Sequence, residues 1–164
     1  MRFDIFLLET IILTLVFTAT IMIPLCKNPV WWIHDFPKDI QEVYFQTHER
    51  IPAAPLSKPA LVKKSFAIAL AIMLLSLLVW LCGARSFLSG FMLSYGLWFF
   101  IDWYDCFFLD WVLFANVKKI RLPGTEHMNK AYHQKTYHVI HSFIGMAVGF
   151  LPAFFTGLII MLVA

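Results

Sequence analysis

The chain has 164 residues, 60% of them hydrophobic, and its mean hydropathy is +0.75. A soluble domain is normally about 45–50% apolar, so this composition favours a membrane protein. The net charge of +3 is modest, and we expect membrane lipids rather than nucleic acid as partners. The three cysteines form no CxxC pair, which argues against a disulfide framework and against a zinc knuckle.

Four apolar runs are long enough to cross a bilayer, since a spanning helix needs about 20 residues. The runs are approximately Ile5–Leu25, Ser65–Cys82, Phe87–Phe114 and Tyr137–Val163. Together they use most of the chain and leave no room for a separate soluble domain. The sequence therefore predicts one polytopic domain over residues 1–164, an all-α integral membrane four-helix bundle.

The basic residues are divided unequally between the segments that connect the four runs. Eleven of the thirteen lysines and arginines lie in residues 26–64 and 116–136, and the other two are Arg2 and Arg85. Because cytoplasmic loops carry the excess of lysine and arginine, both basic loops are predicted to be cytoplasmic. Both termini then lie on the non-cytoplasmic side of a plasma or inner membrane.

The first basic loop contains a segment with the features of a short amphipathic helix. Trp31 and Trp32 precede it, and tryptophan is enriched at the interface between membrane and water. Pro37 suits a first helical turn, while Ile40 and Tyr44 share one side of an otherwise polar segment. We predict an interfacial helix over Pro37–Arg50, lying on the cytoplasmic membrane surface.

Small residues recur every fourth position in the last apolar run. They are Gly145, Gly149, Ala153 and Gly157. Such a row allows a second helix to approach closely. Packing within the chain and formation of a homodimer both fit this pattern, and the sequence leaves the two alternatives open.

Three aspartates lie within the third apolar run. A charged side chain near the bilayer centre costs about 2.5–3.5 kcal/mol, so Asp102, Asp105 and Asp110 require an explanation. At α-helical spacing Asp102, Cys106 and Asp110 share one stripe, with Asp105 one step round the same face. This face is expected to meet polar partners or water rather than lipid.

All six histidines lie in the basic loops or in the first turns of the last run. His138 and His141 are one helical turn apart, at the depth expected for the end of the third run. We predict that Asp102, Asp105, His138 and His141 act in catalysis, and that these four residues and Asp110 bind a divalent metal. Histidine nitrogen and aspartate oxygen are common metal ligands. As an alternative, Asp110 pairs with Lys118 or Lys119.

Three functions remain open from the sequence, which contains no Walker loop, GxGxxG, HExxH or GxSxG motif. The first is a membrane-embedded enzyme, either metal-dependent or acid/base, acting on a lipid-like or amphiphilic substrate at the cytoplasmic leaflet. The second is a proton- or cation-coupled transporter or channel subunit that works as an oligomer. The third is a non-catalytic membrane partner protein.

Overall fold

The computed structural model describes residues 2–52 and 57–164. Of the described residues, 82% are helical and none lies in a strand. They form the α-helices α1 (Phe3–Lys27), α2 (Lys38–Thr47), α3 (Lys58–Leu81), α4 (Phe87–Tyr104), α5 (Asn129–Tyr132) and α6 (Lys135–Val163). Pro29–Asp35 and Lys118–Ile120 are 3₁₀-helices, and Asp105–Phe114 is a π-helix.

Three helical stretches in the described part of the chain are long and apolar enough to cross a membrane. They are Phe3–Lys27, Lys58–Leu81 and Asn129–Val163. The predicted third run, 87–114, is not among them. It is divided into α4 and the π-helix, and its aspartates, tryptophans and tyrosines lower its hydropathy. The all-α class and three of the four predicted spans are therefore supported.

Large apolar side chains point outward along these three helices. Leu15, Phe66 and Leu162 have 65%, 70% and 79% of their surface exposed. Exposed apolar patches of this extent are unusual on soluble monomers and mark surfaces that meet a membrane or a partner. This exposure agrees with insertion of the helices into a bilayer.

The chain divides into two compact units. Unit 1 comprises the described residues of 1–14, 55–103 and 143–164. Its core contains Val79, Ala84, Leu97 and Ile160. Gly83, with a φ of +90°, forms the short turn between α3 and α4, and glycine adopts this backbone conformation without a steric penalty.

The row of small residues in α6 packs against α4 within unit 1. A β-carbon at Gly145 would collide with the Asp102 carboxylate, and one at Gly149 with the Trp98 indole. The Trp98 Nε1–H also donates a hydrogen bond of 3.0 Å to the Gly145 carbonyl. Close packing within the chain thus accounts for these two glycines. A homodimer through Gly145, Gly149, Ala153 and Gly157 stays a prediction.

We expect Gly149→Ala to lower the free energy of unfolding by about 1–3 kcal/mol, because overpacking forces neighbouring groups to shift. Gly96→Ala is the matched control, since the nearest atom to its new β-carbon is Phe6 Cζ at 4.0 Å. Alanine also favours helix over glycine by about 1 kcal/mol, so the control should be neutral or stabilising. Unfolding in mixed micelles measures both variants, and equal effects would contradict the packing described.

Unit 2 comprises the described residues of 15–54 and 104–142. The two basic loops meet there in one apolar core, which contains Leu25, Ile33, Phe36, Ile40, Tyr44, Phe114, Ile120, Leu122, Ala131 and Tyr132. The predicted helix in the first loop is present as α2. However, Ile40 is 0% exposed and Tyr44 6%, because both pack into this core. The apolar side of α2 therefore faces the protein core, and the predicted place of α2 on the cytoplasmic membrane surface stays a prediction.

Tyr132 holds the segment around Leu122 and Thr125 in place by hydrogen bonds, and its ring packs into the same core. Its hydroxyl accepts a hydrogen bond of 2.9 Å from the Leu122 backbone N–H and lies 2.7 Å from Thr125 Oγ1. Thr125 Oγ1 donates in turn to the Leu122 carbonyl at 2.7 Å. Tyr132 and Thr125 are both fully buried. This network fixes the turn before α5, and with it the start of α6.

Candidate functional site

The π-helix changes which aspartates share a face. Its hydrogen bonds join residues five apart, as where the Ala115 N–H bonds to the Asp110 carbonyl. Residues five apart, such as Asp105 and Asp110, therefore lie on one side of this segment. The predicted stripe of Asp102, Cys106 and Asp110 assumed α-helical spacing and does not hold across it. Cys106 is fully buried.

A cavity of about 300 Å³ lies within unit 2, beside the π-helix. Its lining comes from α1, the 3₁₀-helix Pro29–Asp35, Phe36, the π-helix and α6. The lining residues are Ile21, Leu25, Trp32, His34, Asp35, Phe36, Asp105, Asp110, Phe114, Tyr137, His138 and His141. Among them His138 is buried, Asp105 and Asp110 are half-buried, and His34, Asp35 and His141 are exposed.

His138 and Asp110, which both line the cavity, contact each other, with 2.8 Å between His138 Nδ1 and Asp110 Oδ2. Their side chains are 7% and 25% exposed. An ionised carboxylate can only accept, so the contact places a proton on Nδ1 and leaves Nε2 as the basic nitrogen. Nε2 is buried and has no hydrogen-bond partner among the described residues. The edge-on Phe114 ring, with centroids 5.5 Å apart, packs against the imidazole.

His141 is oriented in a similar way one turn further along α6. Its Nδ1 donates a hydrogen bond of 2.8 Å to the Tyr137 carbonyl, and its ring lies 4.2 Å from the Tyr137 ring. The Tyr137 hydroxyl donates to the Asp35 carbonyl at 3.3 Å. Tyr137 therefore connects the start of α6 to the 3₁₀-helix Pro29–Asp35, which also contributes residues to the lining of the cavity.

The surroundings of Asp35, which lines the cavity, disfavour the ionised form of its carboxyl. Partial burial raises the pKa of the Asp35 carboxyl, and the nearby His34 and His141 offset part of that increase. Loss of water around a carboxylate favours its neutral form, which is the direction seen here. A ligand that brings positive charge would reverse this penalty.

The cavity brings together four of the five residues predicted from the sequence: Asp105, Asp110, His138 and His141. Asp102 does not line it, and its carboxylate packs beside Gly145 in unit 1. Asp110 contacts His138, not a lysine as in the alternative. The described residues contain no group of three or more His, Cys, Asp or Glu side chains arranged to hold a metal ion. Metal binding stays a prediction.

Eight of the twelve lining residues were not predicted from the sequence. They include Trp32, His34, Asp35 and Tyr137, whose side chains carry polar groups. The first three belong to the segment Trp31-Trp-Ile-His-Asp-Phe36, in which a histidine and an aspartate interrupt an apolar run. This interruption was an available signal. What it did not reveal was that the buried Ile33 and Phe36 anchor the segment in the core, beside the start of α6.

This arrangement can transfer protons. A histidine with one nitrogen fixed by a carboxylate and the other left basic is the pairing that general acid–base catalysis uses. Comparisons of the chain with protein-family models, curated proteins and solved structures found no match.

Proposed function

We propose that the protein is a membrane-embedded enzyme that acts on an amphiphile by general acid–base catalysis in the cavity of unit 2. The Asp110–His138 contact of 2.8 Å on the cavity wall carries this proposal. A carboxylate–imidazole pair that is mostly buried is costly to retain unless both partners are hydrogen-bonded. Its position on a cavity with two further carboxylates and two further imidazoles favours a chemical role.

The proton transfer follows from the orientation of the imidazole. His138 Nε2 accepts a proton from a hydroxyl group or a water molecule at the polar head of the substrate. The resulting imidazolium keeps its Nδ1–H toward Asp110, whose negative charge stabilises it. The proton on Nε2 then returns to the product. General acid–base catalysis of this kind contributes about 10²–10⁴-fold in rate.

The mixed lining of the cavity suits an amphiphilic substrate. Ile21, Leu25 and Phe36 offer an apolar surface, whereas the aspartates and histidines offer hydrogen bonds and charge. Ligand sites commonly combine a mostly apolar lining with a few placed polar groups. The substrate class proposed is therefore a lipid or another amphiphile that enters from the bilayer.

We infer further that the chain forms a four-span bundle with the basic loops and the cavity on the cytoplasmic side. The charge asymmetry supports this orientation. A cysteine replacing exposed Glu126 should react with an impermeant maleimide only after cells are permeabilised. One replacing Arg85, in the opposite connection, should react in intact cells. The reverse pattern, or equal labelling, would exclude this topology.

An untargeted lipid assay tests for substrate turnover. Protein in nanodiscs is incubated with a total polar lipid extract, and the lipids are followed by mass spectrometry. Wild type should convert at least one species, and His138→Gln should not. His127→Gln is the control, because His127 is an exposed histidine that does not line the cavity, and it should behave as wild type. Identical lipid profiles for wild type, His138→Gln and empty nanodiscs would refute the proposal.

A further inference from the structure

We infer that the cavity in unit 2 recognises amphiphiles with a primary ammonium head group. This inference deepens the proposed function, on which it rests in treating the cavity as the substrate site. It names the charge and the hydrogen-bonding character of the head group that the cavity accepts. The charge, the aromatic lining and a buried imidazole nitrogen support it separately.

The charge of the lining is the first argument. Asp35, Asp105 and Asp110 line the cavity, and no lysine or arginine is among its described lining residues. This is unexpected in unit 2, because the two basic loops that build it carry most of the chain's cationic side chains. The three carboxylates therefore supply the negative charge of the lining.

The aromatic lining is the second argument. Trp32, Phe36, Phe114 and Tyr137 all line the cavity. A cation is attracted to the face of an aromatic ring, most strongly by tryptophan, and ammonium ligands are recognised by such rings. A phosphate or sulfate head is instead recognised mostly by arginine, lysine, protonated histidine or backbone N–H groups. The lining thus has the parts that bind a cation, and its described residues include neither arginine nor lysine.

The third argument is the hydrogen-bonding state of His138. The residue is only 6% exposed, and its Nε2 has no partner among the residues that the structure describes. A buried acceptor without a donor is costly, so a ligand that donates a hydrogen bond there would be favoured. A primary ammonium has three N–H donors, which suit carboxylates and an imidazole together.

The size of the cavity limits what part of the ligand it holds. A volume of about 300 Å³ lies at the lower end of the range for small-molecule sites, about 300–1,000 Å³. It accommodates a head group and the first carbons, whereas the rest of an alkyl chain must lie outside among apolar surfaces.

Binding of three eight-carbon probes to protein in nanodiscs tests the inference. Octylammonium, octyl phosphate and octyl glucoside are titrated below their micellar concentrations by calorimetry, with empty nanodiscs subtracted. Octylammonium should bind saturably and at least about tenfold more tightly than octyl phosphate, a ratio of dissociation constants that corresponds to about 1.4 kcal/mol. Equal affinity, or tighter binding of the phosphate, would overturn the inference.

Substitutions locate the binding. Asp105→Asn and Asp35→Asn should each weaken octylammonium binding several-fold, whereas Asp4→Asn should not. Asp4 is exposed, paired with Arg2, and outside the cavity. Because Asp35 is exposed, we expect Asp35→Asn to fold. It therefore still measures the contribution of a lining carboxylate to binding if Asp105→Asn fails to fold. Unchanged affinity in the folded cavity variants would overturn the inference. Selective binding of octylammonium without lipid turnover would refute only the proposed enzymatic function. Lipid turnover combined with tighter binding of octyl phosphate would refute only the inference about the head group.

Discussion

Asp110→Asn should lower kcat/KM for the converted amphiphile by about 10²–10⁴-fold, the range expected for loss of general acid–base catalysis. The physical reason is the tautomer of His138. An asparagine can donate its amide N–H to Nδ1, which moves the imidazole proton to Nε2 and removes the basic nitrogen. The loss should therefore appear in kcat, while binding of octylammonium changes by a much smaller factor.

A double-variant cycle distinguishes this mechanism from two independent contributions. His138→Gln should be as impaired as Asp110→Asn, and the double variant should be no worse than either single variant, because groups that act as a unit are strongly non-additive. Losses that multiply would show that Asp110 and His138 act separately. The exposed variant His127→Gln again provides the reference for unaltered turnover.

Tyr132→Phe should lower the free energy of unfolding by about 1–3 kcal/mol, the cost of a buried group left without its hydrogen bond. The lost hydroxyl is the partner of the buried Leu122 N–H and of Thr125 Oγ1. Tyr132→Ala should cost more, about 3–5 kcal/mol, because it also removes a fully buried ring from the core of unit 2. Unfolding in mixed micelles gives both values.

Tyr95→Phe is the matched control for this effect. The Tyr95 hydroxyl makes a longer hydrogen bond of 3.3 Å to the Met146 carbonyl, and Tyr95 belongs to unit 1. Its loss should cost less than that of the Tyr132 hydroxyl. If the two phenylalanine variants are equally stable, the network around Leu122 does not contribute as described.

Local patterns predicted three of the long apolar helices and the short amphipathic helix. They succeeded because hydrophobic length and the proline at the start of α2 act within a few residues. The packing of α2 could not be predicted, because an apolar side of this kind suits a membrane surface and a protein core equally. Residues distant in sequence, among them Phe114 and Tyr132, belong to the same buried cluster as Ile40.

The aspartates show the limit of periodicity most clearly. Their spacing was interpreted with an α-helical repeat, which groups Asp102 with Asp110. A π-helix is rare and often occurs at functional sites. The residue types in 105–114 do not predict one. The wider turn groups Asp105 with Asp110 on the cavity and leaves Asp102 beside Gly145. His34 and Asp35 join them because two loops distant in sequence share a core.

The position of the proton on His138 shows whether Asp110 orients the imidazole for proton transfer. Nitrogen-15 NMR of histidine-labelled protein in bilayers, assigned by difference with His138→Gln, should show His138 protonated at Nδ1 and unprotonated at Nε2. Asp110→Asn should shift the proton to Nε2. The signal of His141, whose Nδ1 donates to the Tyr137 carbonyl, should keep its tautomer in both proteins. A His138 that carries its proton on Nε2 in wild type, unaffected by Asp110→Asn, would contradict the account.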